Sequence, residues 1–173
     1  CLNLKLKGDI EALSLLSMAW ATASRLEDAA KLQSSRIAVS TEDDVTCTVT
    51  FVEGKGVKAR GQAYSIKCMN PFLSATKKLM KTRKDYLYQQ TKSESQKILK
   101  RVKNVLKSIN PRYEARSIRR GALQLMAMQE TDLEVLRTIS GHRSVEMLLR
   151  YLNWGQHAAL RLKNQRNAIA LLW

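Results

Sequence analysis

The chain has 173 residues and a formal net charge of +15 at pH 7. Its hydrophobic content of 45% excludes a disordered tail, and its length suffices for one domain with its own core. A net positive charge of this size predicts a polyanionic partner, and nucleic acid is favoured over an anionic membrane surface.

The first third of the chain predicts one helix and a β-hairpin. Apolar residues recur at helical spacing over residues 9–33, and the polar, acid-rich residues 34–45 indicate a loop. Residues 46–52 and 62–68 are typical of strands, and the glycine-bounded residues 54–61 are typical of a turn between them. A symmetric turn would place Cys47 opposite Cys68, where two packed thiols are favoured over a disulfide.

The rest of the chain predicts helices. Asn110-Pro111 indicates a break, because the residue before proline avoids the helical region. Thr131 followed by Glu134 is typical of a capping box, and Gly141 suits a helix end. The expected fold is mainly α with a small antiparallel β-sheet (α+β), and the expected helices span residues 71–81, 92–108, 114–128, 131–139, 143–153 and 156–171.

Several classes of protein are not favoured. The sequence contains no run of about 18 apolar residues, so no membrane span is predicted. It also has no recognisable signal peptide. The cysteines lack C-x-x-C spacing, which favours a reduced intracellular compartment, either bacterial cytoplasm or eukaryotic nucleus. His157, Cys47 and Cys68 lack metal-ligand spacing, so neither a metal nor another cofactor is expected. The start at Cys1 suggests a fragment of a longer protein.

One tyrosine has neighbours that suit attack on a phosphodiester. Tyr151 follows Gly141-His142, and Arg116-Ser117-Ile118-Arg119 lies upstream. A phenol with its ordinary pKa of about 10 is a weak nucleophile, but nearby cations activate it. Arginine forks bind two phosphate oxygens at once and neutralise the charge that grows on them in the transition state.

These segments, taken in order, resemble the catalytic domain of the tyrosine recombinases, the phage integrase family. The resemblance covers residues 12–154. Four segments carry it: Ala21-Thr22-Ala23-Ser24-Arg25-Leu26-Glu27-Asp28-Ala29, Val52-Glu53-Gly54-Lys55-Gly56-Val57-Lys58-Ala59-Arg60, Arg116-Ser117-Ile118-Arg119, and Gly141-His142 with Tyr151.

The resemblance implies roles for six residues. Tyr151 would attack the scissile phosphate and form a 3′-phosphotyrosyl link. Lys55 would protonate the 5′-hydroxyl leaving group, with Lys58 as the alternative if the register differs. The phosphate would be held by Arg25, Arg116, Arg119 and His142. The family usually has histidine where this chain has Arg116; arginine can clamp a phosphate but cannot accept a proton.

Basic residues outside this set predict contacts with the DNA backbone. Residues 71–173 carry 21 Lys/Arg against 7 Asp/Glu, and Tyr86 and Tyr88 lie within the basic run from Lys77 to Lys107. No membrane partner is expected, because these cations spread over several predicted helices. The predicted DNA-binding residues are Lys58, Arg60, Lys77, Lys78, Lys81, Arg83, Lys84, Arg120 and Arg143.

The resemblance also implies an assembly. Residues 1–173 would be the C-terminal catalytic domain, with an N-terminal core-binding domain outside this sequence. The amphipathic helix expected after the tyrosine either packs on its own core or docks on a neighbouring subunit, within a tetramer on double-stranded DNA. Three alternatives remain: a topoisomerase IB-like enzyme, a DNA-end resolving enzyme, and a non-catalytic DNA-binding relative.

Overall fold

The computed structural model describes residues 8–88, 92–129 and 131–152. The chain divides into two compact units, Cys1–Ala122 and Leu123–Trp173. Helices predominate, and an antiparallel sheet with the strand order β1-β2-β3 lies in the first unit. The predicted fold, mainly α with a small antiparallel sheet, is confirmed. The helix predicted over residues 156–171 lies outside the described residues.

The elements follow one another with short connections. The first unit contains α1 (Ile10–Ala21), α2 (Leu26–Ala29), a 3-10 turn (Ser34–Arg36), β1 (Ile37–Val39), β2 (Thr46–Phe51), α3 (Lys55–Arg60), β3 (Tyr64–Met69), α4 (Leu73–Thr82) and α5 (Lys92–Ile109). Helix α6 (Ala115–Met128) begins in the first unit, and the second continues with α7 (Leu133–Ser140) and α8 (Val145–Tyr151). The break predicted at Asn110-Pro111 is confirmed.

Helix α1 is the centre of the first unit. It packs against α4 and α5, and residues on every side of it are buried. Its polar residues are satisfied internally: the Ser14 hydroxyl lies 2.7 Å from those of both Thr76 and Tyr88. A buried hydroxyl without such a partner would cost free energy, so this group fixes how α1 meets the chain around Tyr88.

The prediction of a single helix over residues 9–33 is wrong, because α1 ends at Ala21. The Thr22 hydroxyl donates to the Met18 carbonyl at 2.7 Å, and Ala23 has a positive φ of 47°. Hydroxyl side chains offer backbone carbonyls a local partner and so compete with helix continuation. The chain turns here and starts again as α2.

The sheet confirms the predicted pairing of its two longer strands. Cys47 pairs with Cys68, and the two sulfur atoms lie 3.8 Å apart as free thiols. Their hydrogen bond lowers the pKa of Cys47 and raises that of Cys68, whose burial acts in the same direction. The loop predicted over residues 34–45 is wrong in part, because β1 pairs with β2 from Ile37↔Val49 to Val39↔Cys47.

The connection between β2 and β3 is a short helix, α3, and the predicted plain turn is wrong. Gly54 precedes this helix with φ 110°, and Gly61 ends it. A Cβ atom on Gly54 would lie 2.5 Å from Asp28 Oδ1, so this position admits no side chain. The helix forms because a distant carboxylate, and not the turn sequence, accepts hydrogen bonds from its first N–H groups.

Local caps define the helices of the second unit. Asp132 caps α7, accepting hydrogen bonds from the N–H groups of Glu134 and Val135, so the predicted cap at Thr131 is one residue too early. Gly141 ends that helix with φ 65°, as predicted. Ser144 caps α8 by accepting from Met147 N at 3.2 Å. None of the helices within residues 8–88, 92–129 and 131–152 is long and apolar enough to span a membrane.

Candidate active site

Arg25 lies at the entrance of α2, directly after the turn that ends α1. Its side chain is 38% exposed, and its Nη1 atom lies 3.6 Å from Asp28 Oδ2, one helical turn further on. A partly exposed guanidinium with one acid beside it keeps donor positions that face solvent. Arg25 is therefore placed to bind an anion from outside.

Asp28 connects Arg25 to the segment that carries Lys55. Its carboxylate is buried, with Oδ1 accepting from Lys55 N at 2.8 Å and Oδ2 accepting from Gly56 N at 2.9 Å. Backbone N–H groups at a helix start carry partial positive charge and favour an anion there. The Lys55 side chain is exposed, so its backbone is fixed while its ammonium group reaches outward.

Arg119 is anchored to the turn that precedes Arg25. It is 6% exposed, and its Nη1 atom donates to the Ala23 carbonyl at 3.1 Å. The positive φ of Ala23 belongs to the same turn that presents this carbonyl. The bond joins residues 96 positions apart in sequence and brings α6 against the segment of Arg25.

Tyr64 lies beside these charged groups, at the start of β3. Its ring stacks on Phe51 with centroids 5.0 Å apart, and the Arg60 guanidinium carbon lies 3.8 Å from the ring centroid on which it stacks. Burial raises the pKa of Tyr64 against the opposing charge of Arg60, and the charge of Asp28 raises it further. The charges of Arg119 and Arg25 also reach this phenol and act to lower its pKa.

Arg116 differs from Arg119, although both begin the same helix. Its side chain is 73% exposed, and its Nε atom forms an ion pair with Glu114 Oε2 at 2.9 Å. Within the described part of the chain, no hydrogen bond joins it to another predicted site residue. Arg119 is thus held rigidly, whereas Arg116 is a surface cation with an adjacent acid.

In the second unit, His142 and Tyr151 lie side by side. Their ring centroids are 5.1 Å apart, with the planes tilted by 45°. His142 Nδ1 lies 2.7 Å from the Ser140 hydroxyl, which in turn donates to the Arg137 carbonyl at 3.1 Å. These local bonds orient the imidazole toward one face of α8, where Tyr151 is the last residue of the helix.

The predicted DNA-binding residues fall into two groups. Lys78, Lys81 and Lys84 are exposed, and no acid among the described residues pairs with them. Lys58 and Arg143 are exposed too, and Arg120 is half-buried.

Three of the predicted residues, Arg60, Lys77 and Arg83, have intramolecular partners. Lys77 pairs with Asp44 at 2.6 Å, and Arg60 donates to the Gly56 carbonyl at 3.2 Å. Arg83 forms an ion pair with Glu11, which Arg101 also contacts at 2.5 Å. The ion pairs of Lys77 and Arg83 reduce the charge that these two cations offer to a partner.

The tyrosines within the basic run do not line an exposed surface. Tyr88 is 2% exposed in the core, and burial raises its pKa. Tyr86 is half-buried and donates to Glu53 at 2.9 Å. The expectation that they belong to a surface in contact with the DNA backbone is corrected, because both hydroxyl groups have partners within the protein.

No group of three or more His, Cys, Asp or Glu side chains that could hold a metal ion occurs in the described residues. The candidate site contains guanidinium groups and a lysine. Cationic side chains of this kind bind oxyanions and stabilise negative charge as it develops.

Two residues of this site were missed as participants. Asp28 has no predicted role of its own, although its position three residues after Arg25 suits an ion pair. Tyr64 is predicted only as part of the strand over residues 62–68. Its stack on Phe51 and Arg60 depends on how the chain returns after α3, and no short-range pattern signals that.

Comparison with known proteins completes these observations. A family model described as the phage integrase family matches residues 3–157. A search of curated protein sequences finds no match.

Solved structures share this fold. XerH site-specific recombinase, bound to palindromic difH substrate in a post-cleavage complex, aligns with a TM-score of 0.65 at 17% identity, over 93% of this chain and 51% of that chain. XerA recombinase aligns with a TM-score of 0.68 at 14% identity, over 95% and 61% of the two chains. The catalytic domain of bacteriophage HP1 integrase gives 0.52 at 18% identity, over 80% and 72%. The chain thus spans less than two thirds of the XerH and XerA chains.

Proposed function

Because the chain belongs to the phage integrase family, we propose that it is the catalytic part of a site-specific DNA recombinase that cleaves and rejoins strands through a 3′-phosphotyrosyl intermediate. The observation that carries this proposal is the hydrogen bond of 3.1 Å from Arg119 to the Ala23 carbonyl. It ties the second arginine of the family pattern to the segment that carries the first, Arg25.

The arginines hold the scissile phosphate. Arg25 and Arg119 bind its non-bridging oxygens, and their charge opposes the charge that increases on those oxygens as the phosphorus becomes pentacoordinate. Arg116 adds a third guanidinium, reaching the phosphate after it leaves the exposed pair with Glu114. An exposed pair of this kind contributes little stability, so its loss on binding costs little.

The chemical step forms one bond and breaks one. The Tyr151 oxygen attacks the phosphorus, and the bond from phosphorus to the 5′ oxygen breaks. The ammonium group of Lys55 donates a proton to the departing 5′ oxygen. The proton of Tyr151 goes to His142, to water or to the phosphate, because Arg116 is always protonated.

Rejoining reverses this step. A 5′-hydroxyl from the same or another strand attacks the phosphotyrosyl link, and Tyr151 leaves as a phenol. The energy of the broken phosphodiester is kept in the covalent link, so no nucleotide cofactor is required. Charge neutralisation by arginine replaces the metal ion that other strand-cleaving sites use.

The duplex is the proposed partner. The XerH structure is described as bound to its difH substrate, and this chain presents exposed Lys78, Lys81 and Lys84 without acidic partners among the described residues. Such contacts position DNA without reading its sequence. Each phosphate that they neutralise makes binding weaken more steeply with salt. Assembly into a tetramer through the segment after Tyr151 is part of this proposal, and that segment lies outside the described residues.

A nicked duplex that traps the covalent intermediate tests the proposal. The parent protein is expected to form a protein–DNA adduct that survives denaturation, and Tyr151→Phe is expected to form none. Phe retains the ring beside His142 and removes only the nucleophilic oxygen, so binding to the same duplex should be unchanged. An equal amount of adduct from Tyr151→Phe would contradict the assignment of the nucleophile. Binding without any adduct from the parent would instead indicate a non-catalytic DNA-binding relative.

A further inference from the structure

We propose that Tyr64 is a positioning residue for Lys55: through its stack with Arg60 and its contact with Gly56, it fixes the α3 segment so that the lysine meets the departing 5′ oxygen. This inference rests on the proposed function, in which Lys55 is the general acid. Tyr64 itself touches neither the phosphate nor the leaving group in this account.

The backbone at Lys55 and Gly56 is held by two groups. The Asp28 carboxylate accepts hydrogen bonds from both N–H groups. The Tyr64 hydroxyl approaches Gly56 beside it: a Cβ atom built on Gly56 would be 2.7 Å from this oxygen and 3.1 Å from Asp28 Oδ2. The absence of a side chain at residue 56 is what allows the phenol to approach the backbone so closely.

Arg60 closes the arrangement. Its guanidinium lies over the Tyr64 ring, and its Nη1 atom donates to the Gly56 carbonyl at 3.2 Å. The same ring also stacks on Phe51, with centroids 5.0 Å apart, which anchors the group to β2. Loss of the ring would therefore loosen the support of Arg60 and, with it, the bond to the residue next to Lys55.

A lysine general acid needs such support more than most groups. Its side chain is long and flexible, so the position of its ammonium group depends on a fixed backbone. Displacement by about 1 Å can cost about a hundredfold in rate when proton transfer depends on alignment. Burial raises the pKa of Tyr64, so the phenol stays protonated and makes a neutral contact.

The test compares cleavage of two substrates. One nicked duplex has the ordinary 5′ oxygen at the scissile phosphate, and the other has sulfur at that bridging position. A thiolate is a much better leaving group and departs without a proton, so a defect confined to the general acid disappears on the sulfur duplex. The variants are Tyr64→Leu, Tyr64→Phe and Lys55→Ala, with Tyr113→Leu as the matched control on the same unit.

On the oxygen duplex, Tyr64→Leu is expected to slow single-turnover cleavage about tenfold or more, and Lys55→Ala to slow it further. On the sulfur duplex, both should cleave within about twofold of the parent. Tyr64→Phe keeps the stack but loses the hydroxyl contact with Gly56, so its loss of rate should be smaller than that of Tyr64→Leu, while Tyr113→Leu should match the parent on both substrates. An equal loss on both substrates for Tyr64→Leu, or no loss on either, would overturn the positioning role.

A second measurement needs no catalysis. Amide hydrogen exchange over residues 54–61 should be about tenfold faster in Tyr64→Leu than in the parent, with the melting temperature showing that the protein remains folded. Unchanged exchange there would overturn the inference. If the parent forms no adduct on either duplex, the proposed function fails, and exchange alone then decides whether Tyr64 fixes the segment.

Discussion

Two short segments supply site residues in contrasting ways. The first, α3, carries Lys55, and its hydrogen-bond partners come from Asp28, which is 27 residues away from Lys55. The second, the turn Gly141–Ser144, carries His142 and is held by its own neighbours, Ser140 and the Ser144 cap. Hydrogen bonds from a residue distant in sequence hold the first segment, and hydrogen bonds between sequence neighbours contribute to the second.

The difference predicts how each segment responds to change. A segment fixed from a distance should lose its geometry when a buried partner elsewhere is altered, and the cost should be large because polar groups are left unpaired. A segment fixed locally should respond only to substitutions within it, each worth about the energy of one helix cap.

The largest effect is expected for Asp28→Asn. Asparagine has one acceptor oxygen where aspartate has two, so one of the N–H groups of Lys55 and Gly56 loses its acceptor. The change also removes the negative charge beside Arg25. The free energy of unfolding should fall by about 3 kcal/mol, because a buried backbone donor loses its acceptor and the buried carboxylate loses its charge. Urea denaturation measures it, with Glu27→Gln as the neighbouring exposed control. A loss no greater than that of the control would remove the distinction between the two segments.

Gly56→Ala should cost about 2 kcal/mol, because the added methyl group meets the Tyr64 hydroxyl. Combining it with Tyr64→Phe removes the oxygen that clashes. A double-mutant cycle should then show that the double variant is about 1 kcal/mol more stable than the sum of the two single effects predicts. Strict additivity of the two substitutions would indicate that the close approach to Gly56 has no energetic consequence.

Glu11→Gln should cost about 1.5 kcal/mol at pH 7, since Glu11 accepts charge-assisted hydrogen bonds from Arg83 and Arg101. Burial opposes ionisation of Glu11, but these arginines outweigh it and lower its pKa. The ionised Glu11 therefore contributes its full stabilisation at pH values above its pKa in the unfolded chain. This contribution is lost as the pH falls through its pKa in the folded protein. Parent and variant should therefore converge on acidification.

Urea denaturation at pH 7 and at about pH 3 measures this convergence. Glu42→Gln, at an exposed carboxylate, is the control and should show no such pH-dependent difference. A gap between parent and Glu11→Gln that persists unchanged at acid pH would show that packing, and not the charge of Glu11, is responsible.

The smallest effect is expected for Ser144→Ala, about 1 kcal/mol, because one capping hydrogen bond to Met147 is lost. Hydrogen exchange should quicken around residues 141–147 and remain unchanged at residues 54–61. Ser74→Ala, at an exposed position of α4, is the control and should be near neutral. Faster exchange in both segments would contradict the view that the turn is held locally.

The same contrast explains what the sequence could predict. The predicted helix end at Gly141 and the predicted break at Asn110-Pro111 are confirmed, because glycine and proline act on the backbone at or next to their own position. The pairing of Cys47 with Cys68 was correct, because both strands meet across one connection. The strand β1 was missed, since its three residues are defined by pairing with β2 and by no pattern of their own.

In the candidate site, too, local sequence features could be predicted and contacts between distant segments could not. Its residues were named from motif segments, and their catalytic roles stay predictions. The bond between Arg119 and Ala23 spans 96 positions, and no local periodicity reports such a contact. The connection made by Asp28 was missed for the same reason, because residues 54–61 by themselves favour a turn, and the carboxylate that makes them a helix lies in another motif.

The anchor of Arg119 has a consequence for how this chain can change over time. Its acceptor is a main-chain carbonyl, which every amino acid possesses and which does not titrate. The hydrogen bond itself therefore depends on the torsion at position 23 and not on side-chain chemistry, while the full burial of Ala23 limits the size of the side chain. With φ at 47°, alanine bears a cost of about 1 kcal/mol there, glycine would bear almost none, and β-branched residues would bear the most.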